Sequence, residues 1–191
     1  MSYVDLHVHS NASDGTLSPE QVVRLAHEAG LSAIALTDHD TTAGVAGAAE
    51  AGAELGLEVV PGIEVSSSFR DHEIHILGLF VDTDSPSLQA ALKEFRHHRD
   101  QRNQEMLGRF DAHGIHLTAE DLCAGNPDTV ITRAHVARAL LAKGLGPDLD
   151  HIFKKYLQYG GIYCPPKEFL PPAAVMEALL DSHAFVALAH P

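Results

Sequence analysis

The sequence predicts an α/β fold, with helices packed around a parallel sheet or barrel. Strand-like and helix-like segments alternate in the first part of the chain, and this order is typical of parallel sheets because each crossover requires a helix. Histidines and carboxylates lie at or just after the ends of the predicted strands, where α/β barrels place their active sites. A long block without a clear strand comes next and predicts a helical insertion.

The first strand and the first helix have clear local signals. Apolar and polar residues alternate over 3–9, which predicts a strand. Ser18 is a favoured N-cap and Pro19 suits the first helical position, so a helix is predicted to begin there. Gly30 then predicts the C-terminal end of this helix.

Three more strands are predicted before the insertion. The apolar run at 33–37 predicts the second strand, and an alanine-rich stretch of roughly 43–55 predicts the helix that follows it. Residues 57–65 predict the third strand and residues 73–80 the fourth. We expect all of these strands to belong to the parallel sheet or barrel.

The helical block begins at Ser85-Pro86 with a long helix that reaches about residue 112. Further helices are predicted at 119–123, 133–143, 148–159 and 173–182. The last strand is predicted at 185–189. We therefore predict three segments: an N-terminal part of the barrel at 1–84, a helical insertion domain at 85–170, and a return to the barrel at 171–191.

The charge balance limits the partners. The chain has 26 acidic and 13 basic residues and a formal net charge of −13, which disfavours a long polyanion such as duplex nucleic acid. A small anionic substrate is compatible, because bound divalent cations reverse the local charge. No apolar run approaches the ~20 residues of a membrane span. The N-terminus lacks a signal-type stretch and the two cysteines are far apart, so we expect a cytoplasmic protein without a membrane partner.

His7 and His9 are the first candidate metal ligands. Residues two apart on a strand point to the same face, so both imidazoles can reach one ion. Asp14 follows in the next loop, within reach of the same cavity. The alternative interpretation is a solvated strand end followed by a plain turn over residues 11–15, where Asp is common.

A second candidate cluster, Thr37-Asp38-His39-Asp40, follows the second strand. A helix-capping loop would account for Asp40 or Thr41, but it would not account for His39. Asp38 is predicted to orient a ligating imidazole, and this role is favoured over that of a catalytic base.

Glu64 lies late in the predicted strand 57–65, between Ile63 and Val65, where an unpaired carboxylate is costly to bury. We therefore predict that it bridges two cations. His75 is the next candidate ligand, and His72 competes with it from a loop-like setting. His190 follows the apolar run 184–189.

Taken together, these motifs resemble those of the PHP (polymerase and histidinol phosphatase) family. The resemblance covers the whole chain and lies in Asp5-Leu6-His7-Val8-His9-Ser10, Ser13-Asp14-Gly15, Thr37-Asp38-His39-Asp40, Pro61-Gly62-Ile63-Glu64, His75 and Ala189-His190-Pro191. It implies a distorted (β/α)7 PHP barrel with a helical insertion, two or three divalent metal ions (Mn, Zn or Fe), and hydrolysis of phosphate esters.

Carried over by matching position, the family pattern assigns the ligands to ions. His7 and His9 would hold one ion, and Glu64 would bridge it to a second ion. His75 and His190 would complete the second site, and Asp14 and His39 would serve a further position. Family members continue into further strands and a late Asp-x-His motif, so we expect a barrel that is incomplete at the C-terminus. Open sheet edges in such a chain predict a homo-oligomer or poor solubility.

The insertion resembles that of the family branch that acts on nucleoside phosphates and short RNA. In this branch the segments 132–137 and 153–157 would face the substrate, which makes Arg133, Lys154 and Tyr163 candidate substrate-binding residues. The alternatives are a salt bridge at an exposed helix end for Arg133 and a solvated side chain for Lys154. His135 is predicted either to protonate a leaving group or to cap a helix.

The function predicted from the sequence is a metal-dependent phosphoesterase. It would hydrolyse a phosphomonoester or a terminal phosphodiester of a small nucleotide or short oligonucleotide through metal-activated water. Asp38, Glu64 and His135 are the candidate catalytic residues. The alternatives are a histidinol-phosphate-type phosphatase and a non-catalytic, inactive metal-binding fragment. The long insertion makes the first of these the weaker enzymatic reading.

Overall fold

The chain divides into two units in this computed structural model, which describes residues 3–70, 72–123, 126–166 and 170–190. Unit 1 comprises Met1–Phe95 and Phe169–Pro191, and unit 2 comprises Arg96–Glu168. Among the helices of the described ranges, none is both long enough and apolar enough to cross a bilayer.

One sheet runs through unit 1 in the strand order β1-β2-β3-β4-β5. The strands are β1 Tyr3–Val8, β2 Leu31–Leu36, β3 Glu58–Phe69, β4 His72–Leu79 and β5 Phe185–Leu188. β2 pairs in parallel with β1 and β3, whereas β4 pairs antiparallel with β3 and β5.

The prediction of a parallel sheet is therefore confirmed for β1, β2 and β3 and wrong for β4 and β5. β3 ends at Phe69 and β4 begins at His72, and so short a connection can only join antiparallel strands. A parallel pair would need a crossover of about a dozen residues or more. The fold is a mixed α/β sheet of five strands within the described residues, and a barrel of seven strands stays a prediction.

The helices lie close to their predicted positions. They are α1 Pro19–Glu28, α2 Val45–Leu55, α3 Pro86–Ala112, α4 Ala119–Cys123, α5 Arg133–Ala142, α6 Leu149–Tyr156 and α7 Pro172–Asp181. α1 begins as predicted, with a capping box in which the Ser18 hydroxyl accepts from the Gln21 N–H. α2 begins with Gly44 at its N-cap, so neither Asp40 nor Thr41 caps it.

Two large apolar clusters form the core of unit 1. In the first, residues of α1 and α2 pack with Ile34 and Leu36 of β2. In the second, the first turns of α3 and residues of α7 pack with Ile63 and Val65 of β3. The strands that carry the candidate ligands are thereby held by buried neighbours, which keeps their side chains in fixed positions.

Unit 2 has its own core, formed by the later turns of α3 together with α4, α5 and α6. Its largest fully buried side chains include Met106, Phe110, Leu140 and Ile152. The predicted insertion, 85–170, begins earlier than unit 2. The reason is that Leu88, Leu92 and Phe95 at the start of α3 are part of the second core cluster of unit 1.

Candidate metal centre

Glu64 is the centre of a cluster of imidazoles in unit 1. It lies inside β3, and its side chain is 1% exposed. The Oε1 atom is 2.8 Å from His75 Nδ1 and 3.0 Å from His190 Nε2. The Oε2 atom is 3.1 Å from Nε2 of His7, 3.1 Å from Nε2 of His9 and 3.4 Å from Nδ1 of His39. The structure thus brings all five predicted histidine ligands to one carboxylate.

The parallel strands deliver three of these histidines. His7 lies near the end of β1, and His9 follows the strand directly. His39 lies in the segment after β2, which runs beside β3: the Asp40 N–H donates to Glu64 O at 3.0 Å, and the Glu64 N–H donates to Asp38 O at 3.2 Å. This part of the site has the arrangement expected at the carboxyl ends of parallel strands.

The antiparallel strands deliver the rest: His190 follows the end of β5 as predicted, but for Glu64 and His75 the prediction of ligands at strand ends is wrong. Glu64 and His75 lie within β3 and β4, where the register pairs Ser66 with His75 and Glu64 with Leu77. His75 is therefore the diagonal neighbour of Glu64, close enough for their side chains to meet. The Ala189 N–H donates to His75 O at 2.9 Å, which places His190 beside the same pair.

The donor set fits divalent cations. Two groups of three side chains have ligand atoms within 4.8 Å of one another: His7, Glu64 and His190, and His9, His39 and Glu64. Two ligands that each lie ~2.0–2.2 Å from a tetrahedral cation are about 3.3–3.6 Å apart, a little more than the nitrogen–oxygen separations of 3.0–3.4 Å found here. The first group combines His7 with His190, but the nearest carboxylate oxygen of both His7 and His9 is Oε2, which is compatible with an ion shared by these two histidines, as the family pattern implied.

Asp14 lies beside the second group. Its Oδ1 is 3.5 Å from His9 Nδ1, and its Oδ2 is 3.6 Å from His39 Nε2. Asp14 and His39 are thus close enough to serve one further position, as the family pattern implied. His72, the competing candidate, is exposed at the start of β4 and belongs to neither group.

Glu64 and His75 have strongly shifted pKa values. Burial alone would raise the pKa of Glu64, but hydrogen bonds with His75 and His9 and the charge of His39 outweigh it and hold the pKa well below its usual range. Burial would lower the pKa of His75, but Glu64 and Glu73 raise it to about 9. Glu64 is therefore an anion at neutral pH.

The protein-family model described as "PHP domain" matches residues 5–162. The chain belongs to the PHP domain family. The PHP resemblance inferred from the sequence motifs is therefore confirmed.

Named PHP relatives cover most of this chain. It is 40% identical over 162 residues to a 3',5'-nucleoside bisphosphate phosphatase of Chromobacterium violaceum, an alignment that covers 84% of this chain and 56% of the relative. It is 36% identical over 192 residues to the 5'-3' exoribonuclease Rnm of Escherichia coli, covering 98% of this chain and 64% of the relative. The chain thus spans only part of the length of these two relatives.

A solved structure confirms the fold. A protein of Bifidobacterium adolescentis, provisionally named a metal-dependent phosphoesterase, superimposes with a TM-score of 0.91 at 30% identity, over 99% of this chain and 67% of that protein. The mixed α/β sheet described above is therefore that of a PHP protein.

Asp38 accepts hydrogen bonds from two serines of this PHP chain. The sequence predicts it as a catalytic residue or as a residue that orients an imidazole. Its Oδ1 accepts hydrogen bonds from the Ser10 N–H at 2.8 Å and the Ser13 hydroxyl at 2.6 Å, and its Oδ2 accepts from the Ser10 hydroxyl at 2.6 Å. No sequence argument had identified Ser10 and Ser13 as its partners, because they lie far from Asp38 in the sequence. A catalytic role for Asp38 stays a prediction.

The candidate residues of unit 2 make mainly local contacts. His135 Nδ1 accepts from the Thr132 N–H at 3.1 Å, which is the helix-capping alternative, and proton transfer by His135 stays a prediction. Lys154 is 81% exposed and lies 3.7 Å from Asp150, as expected for a solvated side chain. Tyr163 stacks on Phe110 with ring centroids 4.7 Å apart.

Arg133 lies in the same unit as two buried arginines, Arg99 and Arg102, which the sequence analysis did not select. Its guanidinium lies 3.7 Å from the centroid of the Tyr159 ring. Arg99 and Arg102 are buried in the same unit, and Arg102 Nε has no hydrogen-bond partner among the described residues. Burial, followed by the charges of Arg99 and Arg133, lowers the pKa of Arg102. The available signal was the spacing of three between Arg99 and Arg102, which places both on one face of a helix.

Proposed function

We propose that this chain forms the metal-binding part of a phosphoesterase. The enzyme would hydrolyse a phosphomonoester or a terminal phosphodiester of a small nucleotide or short oligonucleotide. The observation that carries the proposal is the Glu64 carboxylate, whose two oxygens lie within 3.4 Å of nitrogens from five histidines. The names of the relatives support phosphate esters as the substrate class.

The proposed centre holds two or three ions of Mn, Zn or Fe. Imidazole and carboxylate ligands accept all three metals, and the donor set does not favour one of them. Such ions supply an activated water and a positive charge for the phosphoryl oxygens. Glu64 is proposed to bridge two ions, because each of its oxygens faces a different set of imidazoles.

The chain's own residues would orient the substrate and confine it. A cavity of about 320 Å³ opens beside His75 and His190 and is also lined by Glu73 and Leu188. This volume lies at the lower end of the range for small-molecule sites, which suits a small phosphorylated compound. A serine or cysteine nucleophile is not required when the attacking group is water.

Arg133 stays the proposed phosphate-binding residue, and Lys154 and Tyr163 stay weaker candidates. Arg99 and Arg102 support this proposal, because they concentrate positive charge within unit 2 of a chain whose formal net charge is −13. A planar guanidinium binds phosphate oxygens in pairs, so a buried arginine group is suited to an anionic ligand. We also propose that duplex nucleic acid is not a substrate and that the protein is cytoplasmic.

The test combines metal analysis with phosphate release. The purified chain is analysed for bound metals and then assayed with Mn²⁺ on adenosine 3',5'-bisphosphate, AMP, a short 5'-phosphorylated RNA and histidinol phosphate. We expect two or more ions per chain and hydrolysis of at least one nucleotide substrate. Hydrolysis of histidinol phosphate alone would support the alternative phosphatase, and bound metal without any turnover would support a non-catalytic module.

Arg133→Ala tests the substrate-binding proposal in a preparation with measurable turnover. If Arg133 binds phosphate in the ground state and the transition state alike, KM should rise and kcat should change little. Arg24→Ala is the matched control, because it removes an exposed arginine of α1 that has no proposed role in substrate binding. Equal kinetics for wild type and Arg133→Ala would contradict a phosphate-binding role.

A further inference from the structure

A buried carboxylate fixes the loop that follows β1. Three hydrogen bonds of 2.6–2.8 Å run from Ser10 and Ser13 to Asp38, and all three residues are buried. This loop lies between two candidate ligands, His9 before it and Asp14 at its end. Asp38 itself lies next to His39 in the chain.

The direction of these hydrogen bonds decides what Ser13 can offer to His9. A carboxylate only accepts, so the Ser13 hydroxyl donates its proton to Asp38. The Ser13 oxygen, 3.4 Å from His9 Nδ1, can then only accept from that nitrogen. Asp14 Oδ1 is a second acceptor, 3.5 Å from the same atom. His9 Nδ1 therefore faces two acceptors and must carry a proton.

The protonated Nδ1 leaves the other ring nitrogen available for a cation. In a neutral imidazole one nitrogen donates and the other has a free lone pair. Nε2 of His9 lies 3.1 Å from Glu64 Oε2, on the side of the candidate centre. Carboxylates and other acceptors that bind the distal N–H of a metal-ligating histidine fix its tautomer and raise its affinity for the metal.

We propose that Asp38 and Ser13 are positioning residues that hold His9 in its Nδ1–H tautomer, so that Nε2 is presented to a divalent cation shared with Glu64. The proposal rests on the metal centre of the proposed function, but not on the substrate or on catalysis. It replaces a direct contact between Asp38 and an imidazole with a relay through a serine.

Ser10 provides a matched control. Its hydroxyl donates to Asp38 at 2.6 Å, as that of Ser13 does, and both serines are fully buried. Only Ser13 continues to a ring nitrogen of His9. The Ser10 hydroxyl also accepts from the Ala12 N–H at 3.1 Å, so Ser10→Ala should loosen the loop at least as much as Ser13→Ala, whereas only Ser13→Ala removes the contact with His9.

The experiment measures Zn²⁺ binding by calorimetry for wild type, Ser10→Ala, Ser13→Ala and Ser13→Thr, together with thermal unfolding of each metal-free chain. We expect Ser13→Ala to weaken Zn²⁺ binding by about 10–100-fold, the usual effect of removing such a partner. Ser10→Ala should change Zn²⁺ binding much less although it costs at least as much stability, and Ser13→Thr should restore the binding. Imidazole ¹⁵N spectra of the Zn²⁺-loaded wild type should show the His9 proton on Nδ1.

Each outcome has a distinct meaning. Equal losses of Zn²⁺ affinity in the two alanine variants, no loss in Ser13→Ala, or a His9 proton on Nε2 would overturn the relay. A wild-type chain that binds no Zn²⁺ would contradict the relay together with the metal centre. If the wild-type chain binds Zn²⁺ and the variants show the expected order of Zn²⁺ affinities, but no phosphate ester is hydrolysed, only the proposed function would be contradicted.

Discussion

At the scale of single residues, Glu64 determines what the centre can bind. A buried carboxylate surrounded by five imidazoles needs positive charge, and that charge comes either from protons on the histidines or from metal ions. The shifted pKa values of Glu64 and His75 describe the metal-free chain, in which protons supply this charge. Metal binding at the same atoms would displace those protons.

Glu64→Gln should remove the bridging anion and leave the histidines in place. We expect the metal content of the purified chain to fall below one ion, because an amide offers one weak oxygen ligand and no charge. Elemental analysis checks this. Glu58→Gln, at the exposed start of the same strand, is the matched control and should keep the wild-type content. Unchanged stoichiometry in Glu64→Gln would exclude a bridging role.

The stability of the metal-free chain should depend on the protonation of His75. Burial opposes the imidazolium, but Glu64 and Glu73 raise its pKa from 6.5 to about 9. Because the folded-state pKa is the higher one, this stabilisation is fully present below pH 6.5 and is lost as the pH rises through about 9.

Denaturant unfolding in a metal chelator at pH 6 and at pH 9.5 tests this dependence. The free energy of unfolding should decrease between the two pH values in wild type and decrease less in His75→Gln. His72→Gln, on the exposed start of the same strand, should retain the wild-type decrease. A decrease of the same size in His75→Gln would show that other groups cause it.

At the scale of elements, the loop after β1 depends on a close approach of backbone to backbone. A Cβ on Gly15 would lie 2.6 Å from His9 O and 2.7 Å from Ser10 C. Backbone atoms cannot rotate away as a flexible side chain can, so a substituted loop must move. Asp14 would move with it, because it is the adjacent residue.

Gly15→Ala should therefore destabilise the chain by about 1–3 kcal/mol, the usual cost of overpacking. It should also weaken metal binding. Gly108→Ala is the control, because a Cβ there meets open space near the C-terminal end of α3 and the substitution replaces a poor helix former. That variant should stabilise the chain by about 0.5–1 kcal/mol. Thermal unfolding of both variants measures the difference, and an unaffected Gly15→Ala would contradict the tight loop.

At the scale of the whole molecule, the sheet has two apolar edges. β1 and β5 are the outer strands of the described sheet, and Tyr3 and Phe185 on them are 66% and 67% exposed. Val4 and Leu188, on the same two strands, are also exposed. Edge strands with exposed apolar residues pair readily with other chains.

We accordingly predict that this chain associates with itself. Light scattering should give a mass above the 20.5 kDa of one chain, or the protein should be poorly soluble. Val4→Lys places a charge on the β1 edge and should reduce association. Leu25→Lys, at an exposed apolar position of α1, should not. A stable wild-type monomer would contradict the prediction.

The sequence by itself determined the local elements and the chemistry of the site. Strand periodicity and helix caps depend on neighbouring residues, so the sequence alone predicts β1 and α1. The histidines, Asp14 and Glu64 could be selected because imidazoles and carboxylates in ordered motifs are costly to bury without a cation. The PHP family followed from the order of these motifs.

Only the tertiary structure decided how these parts meet. The antiparallel direction of β4 and β5, the diagonal contact of His75 with Glu64, and the two groups of ligands depend on pairing between segments far apart in the sequence. The hydrogen bonds from Ser10 and Ser13 to Asp38 and the burial of Arg102 depend on packing in the same way. Periodicity indicates which face of an element is buried, but the partner is chosen by the packing of the whole unit.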